Sequence, residues 1–219
     1  MNEALAREEI CRIGHSLFQR GYVHGSAGNI SVRLDDGYLI TPTDACLGWL
    51  VPERLSRLDL AGTWLSGDRP SKTIALHMRI NQEACRFDPA TRCVLHTHSS
   101  HSVALSLGAQ GPELLPALTP YFVMTVGHVP HLAYQRPGAD AAVEQVATAI
   151  RAYGAAQRRI RAVMLNRLGP VVWHDAPTTA MALLEELEES ARLALLTQCR
   201  EPLTDEQIED LRASFAARW

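Results

Sequence analysis

Apolar residues near the start of the chain recur at helical spacing. Leu5, Ile10, Ile13 and Leu17 fall on one side of a helix that stops at Gly21. A Gly/Ser-rich turn, HGSAGN, leads into ISVRL, a short alternating strand, and DDG reads as a hairpin turn into the strand YLIT. Between residues 42 and 70, Pro and Gly punctuate the pattern and predict loops with short elements, including LDLAGTWLSG. A helix is predicted from Ser71, carrying Ile74, Leu76, His77 and Ile80. The β-rich run CVLHTH follows, then a helix over 100–107 packed behind it and a second irregular stretch over 108–138. Helix resumes over 139–152, followed by the strand RAVMLN, a Gly-Pro turn and the strand VVW. Met181, Leu184, Leu187, Ala191 and Leu195 then form an apolar helix face opposite Glu185, Glu186, Glu188 and Glu189. Thr204 and Gln207 make a capping-box pattern ahead of Ile208 and Leu211. With no internal repeat and no linker, residues 1–219 are expected to form a single α/β domain.

Composition narrows the partners. A formal net charge of -3 without a long Lys/Arg run argues against nucleic acid or an anionic membrane. No apolar run approaches bilayer length, and the acidic, amphipathic start is unlike a signal peptide, so a cytoplasmic location is expected. Cys11, Cys46, Cys85, Cys93 and Cys199 are scattered without a C-x-x-C pair, which predicts reduced core thiols rather than disulfides.

Three segments carry candidate chemistry. In VLHTH, strand alternation places His96 and His98 on one face, where two imidazoles could share an ion or serve as hydrogen-bonded core histidines. In HGSAGNIS, Gly25 and Gly28 allow positive φ and Asn29 adds an amide, giving either an anion-binding nest or a plain turn. In RPSKTIALH, Ser71 stands where a helix N-cap is expected, with Lys72 beside the free N–H groups, again an anion site or an ordinary capped helix.

Together with TPTDACLG, WLSGDRPSK, TPYFVM, GPVV and LEELEESARL, these segments resemble the class II aldolase/adducin family along nearly the whole chain. RGYVHGSAGNIS, PTDACLG, LSGDRPSK, TPYFVMTVGHVP, YQRPG and EELEESA are most similar to the 3-oxo-tetronate 4-phosphate decarboxylases within it. The resemblance implies a three-layer α/β/α fold with a central, mainly antiparallel sheet covered by helices. It implies that Gly28, Asn29, Thr43, Ser71 and Lys72 surround a substrate phosphate or carboxylate, and that His96 and His98 bind a divalent metal, most often zinc. It also implies a homotetramer with sites at subunit interfaces, in which Tyr121 reaches into a neighbour's site.

Two positions depart from the family pattern. Thr73 stands where the resemblance implies a catalytic carboxylate, and Leu168, in NRLGPVV, where it implies a third metal-binding histidine. A threonine hydroxyl is a poor base near neutral pH, and leucine binds no metal. Lys72, Thr73 and Tyr121 are then the candidate catalytic groups, with His128, His131 and His174 as conceivable replacements for the missing ligand and Arg167 as a fixed positive charge in place of the metal. The expected function is a carbon–carbon lyase, of decarboxylase or aldolase type, acting on a small phosphorylated sugar acid or related anionic carbonyl compound with altered chemistry. The alternative is a catalytically reduced paralogue that binds a phosphorylated metabolite or a partner subunit without turnover.

Overall fold

The computed structural model describes residues 2–109, 111–197 and 201–219, so Cys199 lies outside the described residues. Eight strands form one sheet in the order β4-β3-β2-β1-β5-β8-β7-β6. They are β1 (Asn29–Arg33), β2 (Tyr38–Ile40), β3 (Ser56–Leu58), β4 (Trp64–Ser66), β5 (Cys93–His96), β6 (His131–Leu132), β7 (Ala162–Leu165) and β8 (Gly169–His174). Every pairing is antiparallel except that of β6 with β7.

The helices are α1 (Glu3–Gln19), α2 (Ile74–Ala84), α3 (Ser100–Gly108), α4 (Asp140–Ala155), α5 (Pro177–Thr197) and α6 (Asp205–Phe215). Period-2 alternation of the central strands divides them into two layers. Ile30, Val32, Cys93, Leu95, Met164 and Val172 pack with residues of α1, α3 and α5. Val94, Val163, Val171 and Trp173 point the other way and pack with Ile80 of α2 and with Val146 and Ile150 of α4. The result is the expected α/β/α arrangement, with apolar strands buried on both faces.

Several expectations shift in detail. Helix α2 starts at Ile74 rather than Ser71, and its N-cap position is Thr73, without a side-chain capping bond. A turn over residues 71–73 precedes it, in which Ser71 O accepts from Ile74 N at 3.1 Å and Ser71 Oγ accepts from Thr73 N at 3.4 Å. The Ser71 N–H donates to Thr41 O at 3.3 Å and Pro42 bridges Pro70. The turn after β7 comprises residues 166–168, with Arg167 at φ 67°, whereas Gly169 and Pro170 already belong to β8. Within the irregular stretch over 108–138, a π-helical turn forms at Phe122–Val126 and β6 follows. The capping box at Thr204 and Gln207 forms as expected. Cys93 is buried, and Cys11, Cys46 and Cys85 are partly buried free thiols. No helix among the described residues is long and apolar enough to cross a membrane.

Gly169 supports a specific test of packing. Its φ is +137°, and a Cβ there would lie 2.0 Å from Thr97 O and 3.2 Å from His98 Cα. Gly169→Ala is therefore expected to cost more than about 2 kcal/mol, because both contacts are backbone atoms that cannot rotate aside. Gly108→Ala, where a Cβ meets nothing within 4 Å, should stay within about 0.5 kcal/mol of the parent. Urea denaturation of the two variants checks the contrast.

Candidate active site

The site is assembled around the end of β5. The antiparallel register of β1 with β5 pairs Asn29 with His96. Gly28, at φ +84°, approaches so closely that a Cβ would meet His96 O at 3.0 Å and Val23 Cγ1 at 2.7 Å. Pro170, in β8, presents a carbonyl that accepts from Thr97 N (3.2 Å) and lies 3.0 Å from His96 Nδ1. A carbonyl only accepts, so Nδ1 of His96 carries the proton and its Nε2 keeps the lone pair. The strand stops at His96, and alternation alone does not fix His98. The fold nonetheless brings the two rings to a centroid distance of 5.0 Å.

A cavity of about 390 Å³ opens over this pair. Gly28, Asn29, Thr43, Ser71, Lys72, Thr73, His96, His98 and Leu168 all line it. Tyr121 does not; its side chain is exposed on the surface of this chain. His128, His131, His174 and Arg167 are likewise absent from the lining. His128 stacks on Trp219 with ring centroids 4.4 Å apart, and His174 Nδ1 lies 2.6 Å from an Asp175 carboxylate oxygen.

Residues not singled out from the sequence also contribute. Arg136, Asp44 and Asp140 border the cavity, and the His24 ring stands 6.4 Å from that of His98. Arg136 lies in YQRPG, so a signal existed in the motif but not in any periodicity.

Burial and mutual repulsion keep the imidazoles neutral. His77, on α2, is fully buried; burial, with His96 nearby, lowers its pKa to about 3. Its Nδ1 lies 2.8 Å from Ser31 Oγ, while its Nε2 is buried without a hydrogen-bond partner. Burial first and His98 second lower His96 to about 4, and burial with His24 lowers His98. The Oδ1 of Asn29 is also buried without a partner, an acceptor available to a ligand hydroxyl. The Ser71 and Thr73 hydroxyls, also in the lining, bond to one another at 2.9 Å. Lys72 and Arg136 have no ion-pair partner among the described residues, leaving both cations available to an anionic ligand.

The family pattern described as "Class II Aldolase and Adducin N-terminal domain" matches residues 8–195. The chain belongs to this family. It is 50% identical to a Cupriavidus necator protein named 3-oxo-tetronate 4-phosphate decarboxylase, over 99% of each chain. It is 41% identical to a protein of that name from Escherichia coli K12, over 96% of this chain and 97% of the other. The crystal structure of YgbL from Escherichia coli superposes with a TM-score of 0.83 at 40% identity, covering 96% of this chain and 99% of that one. An L-fuculose 1-phosphate aldolase shares the fold at a TM-score of 0.83 and 22% identity.

Members of the class II aldolase family are generally dependent on a divalent metal. The donor set here does not fit that requirement. Among the described residues, no three His, Cys, Asp or Glu side chains are grouped to hold a metal ion. Two imidazoles and the hydrocarbon of Leu168 line the cavity, and the Thr73 hydroxyl is engaged with Ser71. Stable sites normally require at least three protein ligands.

The buried imidazoles make stability depend on pH. An unfolded histidine titrates near 6.5, above the folded values of about 3 for His77 and about 4 for His96. The unfolded chain therefore takes up protons first. This contribution is complete above about pH 6.5 and is lost as pH falls from there towards 4. Urea midpoints should drop between about pH 7.5 and about pH 5, and drop less in His77→Gln, whose side chain takes up no proton. Equal profiles for the two proteins would contradict the assignment.

Proposed function

We propose that the protein is a carbon–carbon lyase of decarboxylase type acting on a small phosphorylated sugar acid. One observation carries the reading: a single cavity gathers the Gly28–Asn29 turn, Thr43, Ser71 and Lys72 with His96, His98 and Arg136. Backbone N–H groups, hydroxyls and two cations suit a ligand with an anionic group at each end. The relatives named 3-oxo-tetronate 4-phosphate decarboxylase have this kind of substrate in their names.

Decarboxylation also tolerates Thr73 better than aldol cleavage does. A 3-oxo acid loses CO2 once its carbonyl can accept the electron pair of the breaking bond, without prior removal of a proton by a base. Retro-aldol cleavage requires deprotonation of a hydroxyl, the step a carboxylate would perform.

Three further assignments belong to this reading. His96 and His98 are the residues a zinc ion would use, and with Leu168 as neighbour the ion is held weakly or not at all. The protein works as a homotetramer in the cytoplasm, with Tyr121 serving a neighbour's site; its 67% exposure leaves it free to do so. Free thiols at Cys11, Cys46, Cys85 and Cys93 agree with a reducing compartment.

Thr73 and Leu168 also favour a second reading, a catalytically reduced paralogue that binds a phosphorylated metabolite without turnover. CO2 release from 3-oxo-tetronate 4-phosphate separates the two. Turnover well above the spontaneous rate, falling about tenfold or more in kcat/KM for Asn29→Ala, is expected. Binding of the phosphorylated acid without CO2 release would favour the reduced paralogue. Added zinc should leave the melting temperature almost unchanged; a rise of several degrees would reveal a complete metal site.

A further inference from the structure

Lys72 is the sole lysine in a chain whose other basic residues, out of 21 Lys and Arg, are all arginine. Every ion pair formed by a long cationic side chain among the described residues uses arginine. The one lysine stands on the cavity wall instead, between buried Ser71 and Thr73, with no ion-pair partner among the described residues. Arginine binds an anion at least as well, through a bidentate fork. A primary amine does one thing a guanidinium does not: it condenses with a ketone.

The rest of the cavity leaves a role for that reaction. A decarboxylase of a 3-oxo acid needs an electron sink at the carbonyl. Leu168 and Thr73 leave the His96–His98 pair without the ligands for a stable metal site. Arg136, in the lining of the same cavity, can hold an anionic end of the substrate without involving the amine.

We propose that Lys72 is a catalytic residue that forms an imine with the substrate ketone and so supplies the electron sink. The proposal rests on the lyase reading above for the identity of the substrate. In the first step, the Lys72 ammonium gives up a proton to solvent, and the freed lone pair forms a C–N bond to the carbonyl carbon. The carbonyl oxygen leaves as water, with one hydrogen from the amine and one proton from solvent, giving an iminium. The bond to the carboxylate carbon then breaks, CO2 departs, and the electron pair moves to nitrogen, giving an enamine. The carbon takes a proton from water, and hydrolysis of the resulting iminium returns the ketone product, the free amine and a proton. No oxidant or reductant is consumed.

The test uses the whole protein with dihydroxyacetone phosphate, the ketose phosphate left when a 3-oxo-tetronate 4-phosphate loses CO2. Sodium borohydride reduces an iminium to a stable amine. Intact-mass and peptide analysis should show one adduct, on the peptide containing Lys72, with the mass of the ketose phosphate less one oxygen atom. Lys72→Arg keeps the positive charge. It should retain its melting temperature and its binding of inorganic phosphate, give no adduct, and lose CO2 release by roughly a thousandfold or more. Turnover of the parent should withstand EDTA.

The outcomes separate the two claims. CO2 release with no adduct, release that survives in Lys72→Arg, or an adduct confined to the N-terminal amine overturns the imine and leaves the lyase reading standing. An adduct on Lys72 with no CO2 release overturns the lyase reading and leaves the imine chemistry. Absence of both overturns both.

Discussion

The arrangement of the site depends on how closely two strands approach the segment His96–Thr97–His98. Gly28 closes in from the β1 side and Gly169 from the β8 side, each at positive φ, with space for a hydrogen but not for a methyl group. This contact sets Asn29 opposite His96 and brings the Pro170 carbonyl to the His96 ring. One backbone carbonyl thereby holds the proton on Nδ1 of His96 and leaves the lone pair on Nε2. The same approach carries the Gly28–Asn29 turn to the cavity, so the anion-binding end and the imidazole end share one rigid centre. Side chains further away, such as Tyr121, are left outside it.

Around that centre, the physical chemistry favours neutral imidazoles and unpaired cations. His77, His96 and His98 resist protonation because burial and neighbouring rings penalise the charge. Lys72 and Arg136 supply positive charge at the cavity wall instead. Leu168, together with Leu76, Leu165 and Val143, adds apolar surface to the lining. Low-polarity surroundings strengthen the attraction of the remaining cations for an anion.

The chain pattern made much of this legible. Helical spacing located α1 and α5, and the capping box located the start of α6, because each depends on residues within a few positions. The motifs identified nearly the whole cavity wall from Gly28 to His98. Helix α2 begins at Ile74 because a turn over residues 71–73, with Ser71 accepting from Thr73 and Ile74, comes between the serine and the first helical residue. The turn before β8 was misplaced because a Gly-Pro pair usually breaks a strand. Here Gly169 is required by the backbone of Thr97, and Pro170 contributes its carbonyl rather than an N–H.

The sequence by itself determined the two-layer burial of the strands, the family, and which chemical groups are present: one lysine, a His-x-His pair, a threonine at 73 and a leucine at 168. These follow from local periodicity and from residue identity. Only the tertiary structure decided that His98, beyond the end of its strand, still meets His96, and that Arg136 joins Lys72 at one cavity. It also placed His128, His131 and His174 outside the lining of that cavity. Distances between segments far apart in the chain are set by sheet register and by the approach of Gly28 and Gly169, and no local pattern encodes them.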